Sequence, residues 1–540
     1  MNNSTILAQK YPSTWLKIIV VSLLILGIFF RFSHLGQKIY WFDETFTSLA
    51  ISGHTLAEVK EEVFNHESVI PITTLDQYQH LNPERGIADT MNYLITSDPQ
   101  HPPLYYVMAR LWVQIFGDSP TEIRSLSALI SLLIFPCVYW LCIELFNSPI
   151  VAWVALGLIA ISPLEIFFAQ EARQYGLWMV IILLSSASLL RAMRKETILS
   201  WGIYSLTLTL GLYTHLFMIL VAIAQGVYIL VNPQFRNLKT LRNYLLAGIG
   251  AFLFFLPWLI ILINNIHTAL QLNLLWSESI INNPFERIAL FFIRGSRTFF
   301  DINLASDNWL IKNISLEGPI VSTIILIVLS FCFILYLLYF WTKNNSKGIL
   351  FVGILGTIPF LCLLICDLLF GGSLAIHPRY TLPLYLSLQI AVAYICSYHI
   401  FRENSKTKGL WAVILSGFII AGMISSVTFF NAQSWWTEVR GSYFIKMAQT
   451  MNENEQPLLI SENCNICIGA SLTLSRRLDS KAHLLTIPLN EPVTFPLNYS
   501  NVFFVDRDSN LLHQLQQDTS YSLTLIDPSI GFWVIKKKST

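Results

Sequence analysis

Nine stretches of about twenty almost wholly apolar residues recur along this sequence, at 15–33, 123–146, 150–169, 175–193, 243–263, 318–341, 348–370, 380–400 and 409–430. A run of that length matches the hydrocarbon core of a bilayer, where each backbone polar group must find its partner inside the segment. The chain is therefore expected to be mainly α, a polytopic bundle of transmembrane helices. Composition agrees: 54% of residues are hydrophobic and 12% charged, against about 25% charged in soluble domains. The formal charge of +1, with Lys and Arg dispersed among loops, excludes a nucleic-acid partner. The first stretch runs into Arg31, Phe32, Ser33 and His34 where a signal peptide would need a small-residue cleavage site, so it reads as a retained span.

Two segments need arbitration. Leu104–Phe116 is too short to cross and suits a helix lying at the interface. Leu199–Val231 lies between Arg191, Arg194 and Lys195 on one side and Arg236, Lys239 and Arg242 on the other, and the positive-inside rule places both clusters in the cytoplasm. An even number of crossings is required, so the segment is a hairpin that turns near Tyr213, Thr214 and His215. Lys10, the pair Lys343 and Lys347, and the trio Arg402, Lys406 and Lys408 then also fall inside, with eleven spans in all. The expected topology is that of a plasma (inner) membrane protein with a cytoplasmic N-terminus and an extracytoplasmic C-terminus. Outside lie residues 34–122, the 170–175 turn, the His215 turn, 264–317, the 371–380 turn and everything after Asn431.

Two domains are expected: a transmembrane domain at 1–430, which includes the first outside loop, and a small extracytoplasmic α/β domain at 431–540. In the latter, Trp435–Met451 reads as a helix, and Leu458–Ser461, Val502–Val505, Leu523–Ile526 and Phe532–Ile535 read as strands. Six cysteines (137, 142, 332, 362, 366 and 396) sit in apolar runs as small hydrophobes. Cys464 and Cys467 form a lone CxxC, which favours a disulfide or free thiols over a zinc site that would need a second pair.

The polar motifs of interest all fall on the outer face. Tyr40-Trp41-Phe42-Asp43-Glu44 sets two adjacent carboxylates behind three aromatics just beyond the first span. They read either as a helix start, with Asp43 as cap and Glu44 in the first turn, or as a catalytic pair, because a carboxylate beside apolar surface gains the basicity to take a proton from a hydroxyl. Gln100-His101-Pro102-Pro103-Leu104-Tyr105 closes the first loop. Gln170-Glu171-Ala172-Arg173-Gln174-Tyr175 follows a span that Pro163 interrupts. Glu171 and Arg173 are either a snorkelled anchor pair or a phosphate-binding element, since Arg can hold a phosphate by two hydrogen bonds. His377-Pro378-Arg379-Tyr380 again sets a cation beside an aromatic, and an ordinary interfacial Arg and Tyr is the competing reading. Arg287, Arg294 and Arg297 share one side of an apolar helix and are expected to lie near lipid phosphates.

On these four motifs, in this order and on one face, the chain resembles the GT-C superfamily of glycosyltransferases, in the branch of protein O-mannosyltransferases and lipid A aminoarabinose transferases. The resemblance covers about the first 400 residues. It implies an inverting enzyme that takes a sugar from a polyprenyl-phosphate donor outside the cytoplasm and passes it to a hydroxyl or amine of an acceptor lipid, glycan or protein. By the same resemblance Asp43 is the catalytic base and Glu44 its neighbour, while Arg173 and Arg379 stabilise the leaving phosphate. Glu171 positions Arg173 or the acceptor, and His101, Tyr175, His215, His377 and Tyr380 are further substrate contacts.

No cofactor is expected from the residues themselves. Some members of the superfamily use a divalent metal, for which Asp43, Glu44 and Glu171 would offer oxygen ligands, but adjacent carboxylates are not a metal signature. The competing function is a lipid-linked sugar transporter or flippase. Against it, the charges lie in outside turns, and neither paired repeats nor broken midplane helices are evident in the sequence.

Overall fold

The computed structural model describes residues 11–65, 67–270, 284–301, 346–402, 406–435, 441–488, 499, 501–505, 510–517, 521–527 and 531–537. The chain divides into two compact units. One comprises Met1–Leu35, Pro99–Tyr105 and Arg124–Asn431, and the other Gly36–Asp98, Tyr106–Ile123 and Ala432–Thr540.

The first unit is a helical bundle. Among the described residues seven helices are long and apolar enough to cross a bilayer: Thr14–Phe32, Pro120–Phe146, Tyr175–Lys195, Leu238–Asn264, Lys347–Phe370, Leu382–Phe401 and Lys408–Asn431. The stretch expected as one span at 150–169 is a bent pair, Pro149–Ala160 and Pro163–Ala169, meeting at 62°. The expected hairpin is present as two shorter helices, Ile198–Leu212 and Met218–Val231. The expected span at 318–341, Lys343 and Cys332 lie outside the described residues. Leu104–Phe116 forms a helix of 13 residues, too short to cross.

The basic clusters gather at one end of this bundle. Lys239 Nζ donates to Glu196 Oε2 at the open end of the hairpin, and Lys347 Nζ reaches Gln234 Oε1 at 2.6 Å. Arg194 pairs with Glu144 at 2.7 Å at the same end. An even number of crossings between the two clusters, inferred from charge alone, therefore matches the packing. The hairpin turn marks the other end.

Proline and arginine together make the broken helix. Pro163 stands at the first position of the second half, where its missing N–H is no loss. The carbonyls at the end of the first half are satisfied by Arg31 from the first span: Nη1 donates to the Ala160 oxygen at 2.7 Å and Nη2 to the Ile159 oxygen at 3.1 Å. Nη1 also donates to Gly27 O at 3.0 Å. Beyond the break, Gln389 Nε2 donates to Ser162 Oγ at 3.0 Å and to Glu165 Oε2 at 2.9 Å, and Glu165 is fully buried. Gln170 Nε2 then ties the end of the second half to the Phe30 and Ser33 carbonyls at 2.6 and 2.8 Å. The first span approaches closely enough for this because residue 27 is Gly: a Cβ there would lie 2.1 Å from Ala160 O.

The second unit holds a six-stranded sheet in the order β1-β3-β2-β4-β6-β5. β2 (Pro457–Glu462) runs parallel to β3 (His483–Ile487) and to β4 (Asn501–Val505), while β5 (Tyr521–Asp527) and β6 (Phe532–Lys537) are antiparallel additions. The edge strand β1 (Ser68–Pro71) comes from the first loop and pairs antiparallel with β3. The α/β character expected for 431–540 is borne out, and the unit that contains it also takes in most of the first loop. The expected helix at 435–451 appears as Gly441–Asn452, with residues 436–440 outside the described set. Cys464 and Cys467 form a disulfide at the start of the helix Asn465–Ser475.

Gly27→Ala forces a methyl group onto a backbone carbonyl and is expected to destabilise the protein by about 1–3 kcal/mol. Gly202→Ala, whose Cβ would meet nothing within 4 Å, should be neutral or stabilising by about 0.5–1 kcal/mol. Thermal unfolding of both variants in detergent, side by side, checks the pair.

Candidate functional site

Residues expected to bind substrate converge in the first unit, at the hairpin-turn end. Its floor is the 170–174 turn between the broken helix and Tyr175–Lys195. Gln170, Glu171, Arg173, Gln174 and Tyr175 are all buried, which excludes a snorkelled surface pair. The backbone turns tightly, with Arg173 N–H donating to the Glu171 carbonyl at 2.8 Å. Arg173 Nη2 donates to His101 Nε2 at 3.0 Å, so the Gln170 turn and the His101-Pro102-Pro103 segment meet through a guanidinium–imidazole hydrogen bond. The Pro pair directs the chain into the next helix, whose Leu104 N–H donates to the Tyr213 carbonyl at 3.1 Å. That bond brings in the hairpin turn.

His215, in that turn, is held on three sides. Its ring stacks on Trp178 with centroids 4.1 Å apart and planes 9° apart. Tyr175 and Tyr380 each stand 6.3 Å away. The Phe217 N–H donates to Nδ1 at 3.2 Å, so the proton of the neutral ring is on Nε2. Burial pushes the imidazole well below the ordinary histidine range, and His101, Arg173 and Arg379 add to the same effect. His215 is thus a neutral hydrogen-bonding group surrounded by cations.

The 371–380 turn closes the cluster. Arg379 stacks on the Tyr380 ring at 5.1 Å, Tyr380 packs on Phe217 at 5.4 Å, and His377 shares a 3.3 Å contact with Ser373 Oγ. His101, Glu171, Arg173, Tyr175, His215, His377, Arg379 and Tyr380 therefore belong to one unit. His101, His377, Arg379 and Tyr380 keep partial solvent exposure. Two expectations for 264–317 need correction: Arg294 and Arg297 are 9% and 5% exposed. Arg294 Nη1 donates to the Ile376 carbonyl at 3.2 Å, so it serves the His377 turn and does not lie out among lipids.

Asp43 and Glu44 belong to the second unit, in the first turn of the helix Phe42–Ser52. The cap residue is Trp41, not Asp43, and Glu44 Oε2 reaches back to the Trp41 N–H at 3.3 Å, as in half of a capping box. Glu44 is fully buried and Asp43 is 7% exposed. Beneath this helix lies Arg476, stacked on Tyr40 at 4.6 Å and donating to Gln79 Oε1 and the Gln79 carbonyl at 2.5 and 3.0 Å. Burial lowers the Arg476 guanidinium below its ordinary range, with Tyr40, Asp118 and Glu44 acting in the opposite direction. Phe42 packs on Gly469, where any Cβ would overlap the ring.

Trp178, Arg31 and Arg476 escape a motif reading because two of them sit inside or beside apolar runs and the third lies far along the chain from the residues it supports. Among the described residues no group of three or more His, Cys, Asp or Glu side chains is placed to hold a metal ion.

The family profile described as dolichyl-phosphate-mannose-protein mannosyltransferase matches residues 100–261, the stretch that carries His101, Glu171, Arg173, Tyr175 and His215. ArnT from Cupriavidus metallidurans in the apo state has a similar fold, with a TM-score of 0.50 at 12% identity over 97% of this chain and 98% of that one. The same protein bound to undecaprenyl phosphate scores 0.49 at 12% identity over 98% and 99%. The apo oligosaccharyltransferase of Archaeoglobus fulgidus scores 0.48 at 12% identity over 88% of this chain and 64% of that one. No curated protein matches the sequence.

The chain is a multi-pass membrane protein whose fold is similar to that of ArnT, a GT-C protein. The chain is similar to the branch that holds the protein mannosyltransferases and ArnT, as its motifs led one to expect.

The state of His215 has a thermodynamic signature. Its folded pKa is depressed, so the unfolded chain binds the extra proton first, and the stability it contributes above about pH 6.5 is lost as pH falls. The limiting slope is about 1.4 kcal/mol per pH unit. Between pH 7.5 and 5.5 the unfolding temperature of the wild type should fall further than that of His215→Gln; equal falls would contradict a buried neutral imidazole.

Proposed function

We propose that this protein is an integral membrane, inverting glycosyltransferase that moves a sugar from a polyprenyl-phosphate donor to an acceptor hydroxyl or amine on a lipid, glycan or protein outside the cytoplasm. The observation that carries this reading is the cluster of Arg173, His101, Arg379 and neutral His215 at the end of the bundle away from its basic loops. The buried Arg173 and half-buried Arg379 guanidinium groups suit an anion delivered from the lipid side, and two arginines can share a phosphate that gains charge as its bond to sugar breaks. A neutral Nε2–H at His215 adds a donor to an oxygen without adding charge.

In the proposed reaction Asp43 takes the proton of the acceptor O–H or N–H, and the freed electron pair attacks the anomeric carbon. The bond from that carbon to the phosphate oxygen breaks, and the electrons leave on the polyprenyl phosphate. Attack opposite the leaving group inverts the anomeric centre. Glu44 then has a mainly architectural part, since it caps the helix that presents Asp43. On the same reading the basic end faces the cytoplasm and the cluster faces outward in the plasma membrane.

The test is transfer of labelled sugar from a polyprenyl-phosphate donor in membranes that contain the protein. Asp43→Asn is expected to lose about 10²–10⁴ of the rate, and Arg173→Ala about 10²–10³. Retained transfer in both variants would remove the assigned roles. Movement of the lipid-linked sugar across the bilayer with no covalent transfer would overturn the enzyme reading in favour of a flippase.

A further inference from the structure

The turn that carries Arg379 is clamped from two sides by buried charges that belong to other elements. At the end of the helix Lys347–Phe370, Asp367 is 3% exposed. Its Oδ1 accepts from the Leu374 N–H at 2.9 Å and its Oδ2 from the Ala375 N–H at 2.8 Å, so one carboxylate fills the first two orphan donors of the short helical turn Leu374–Ile376. From the other side, at the end of the helix Pro284–Ser296, Arg294 Nη1 donates to the Ile376 carbonyl. Donors and acceptor thus lie in three consecutive residues, immediately before His377-Pro378-Arg379.

Within the turn, the Ile376 N–H donates to the Ser373 carbonyl at 3.1 Å and the His377 N–H to the Leu374 carbonyl at 3.2 Å, and Tyr380 packs on Phe217. Gly371 and Gly372 precede the turn with φ of 75° and 121°, conformations that glycine adopts without the steric cost a Cβ would bring. The gap at Gly372 is filled by the carboxylate itself, since a Cβ there would lie 3.2 Å from Asp367 Oδ1. Downstream, Thr381 Oγ1 donates to the His377 carbonyl at 3.2 Å, which ties the turn to the helix Leu382–Phe401. A charge-assisted hydrogen bond is about twice as strong as a neutral one, so Asp367 and Arg294 are the strongest polar ties from outside elements to Leu374, Ala375 and Ile376.

We propose that Asp367 and Arg294 are the positioning residues of this turn: by holding Leu374, Ala375 and Ile376 they set where the Arg379 guanidinium stands, and with it the hold on the donor phosphate. This rests on the reading that Arg379 binds that phosphate. On this proposal both residues act on the donor through the turn. Asp367 acts only through the turn, so its effect must vanish once Arg379 has been removed, which a general loss of folding would not do.

Binding of undecaprenyl phosphate to the full-length protein in detergent measures this directly. Asp367→Ala is expected to weaken binding about tenfold to hundredfold, and Asp367→Asn, which keeps one acceptor oxygen, by less. Asp367→Ala with Arg379→Ala should bind no more weakly than Arg379→Ala alone, whereas Asp367→Ala with Arg173→Ala should multiply the two losses. Arg294→Met should behave as Asp367→Ala does in both combinations. The unfolding temperature of each variant, read in the same samples, separates loss of fold from loss of position, and Asp367→Asn carries the test if the alanine variant does not fold. Multiplied losses with Arg379→Ala, or normal binding by Asp367→Ala and Asp367→Asn while Arg379→Ala is impaired, would overturn the positioning role alone. Normal binding by Arg379→Ala would remove its phosphate role and the positioning claim together.

Discussion

A helix that stops inside an apolar bundle leaves carbonyl oxygens that only protein can satisfy, and each one left bare costs several kcal/mol or so. Arg31 meets that demand at Ile159 and Ala160, across a contact that Gly27 keeps open. The consequence is a change of direction: the chain leaves the break at 62°, and Pro163–Ala169 carries it to the 170–174 turn. Glu165, Gln389 and Gln170 extend the same polar seam along the second half. Arg173 therefore sits where it does because an arginine about 140 residues earlier in the sequence closes a helix end.

Around Arg173 the structure gathers a second guanidinium, two imidazoles and the Glu171 carboxylate. His101 accepts from the guanidinium, and Arg379 comes in on a separate turn with Tyr380 beneath it. His215 stays neutral between them, held flat on Trp178 with its Nδ1 already engaged. Preorganised donors of this kind do not have to reorient when charge develops on a leaving group, and that is the main electrostatic advantage of a protein site over water. The second unit treats its carboxylates differently: the Glu44 side chain bonds to backbone, while the half-buried Arg476 supports the helix from below.

Much of this was legible from the sequence because membranes impose simple rules. Span lengths, the hairpin at 198–231 and the grouping of the basic loops follow from hydropathy and Lys/Arg placement, and the packing of Lys239 on Glu196 agrees. The residues of the cation cluster were visible as polar interruptions between apolar runs. Other features were not, since they depend on partners distant in sequence. Arg294 looked like a lipid-facing cation on an amphipathic helix, and only the fold shows it bonded to Ile376. Asp367 passed as one acid in an apolar run, although an ionisable residue there was itself a signal. The edge strand β1 carries too short a pattern to be read without β3 beside it. Trp41, with no side chain of the usual capping type, hid the true start of the acidic helix.

The central claim is that the cluster in the helical unit holds a lipid-linked phosphate, and native mass spectrometry of protein purified gently from membranes addresses it most directly. The wild type should retain a polyprenyl phosphate or its glycosylated form, and Arg173→Ala combined with Arg379→Ala should lose it while remaining folded. Retention of the same lipid by the double variant, or a wild type that carries no phosphorylated polyprenol even after incubation with one, would contradict the claim.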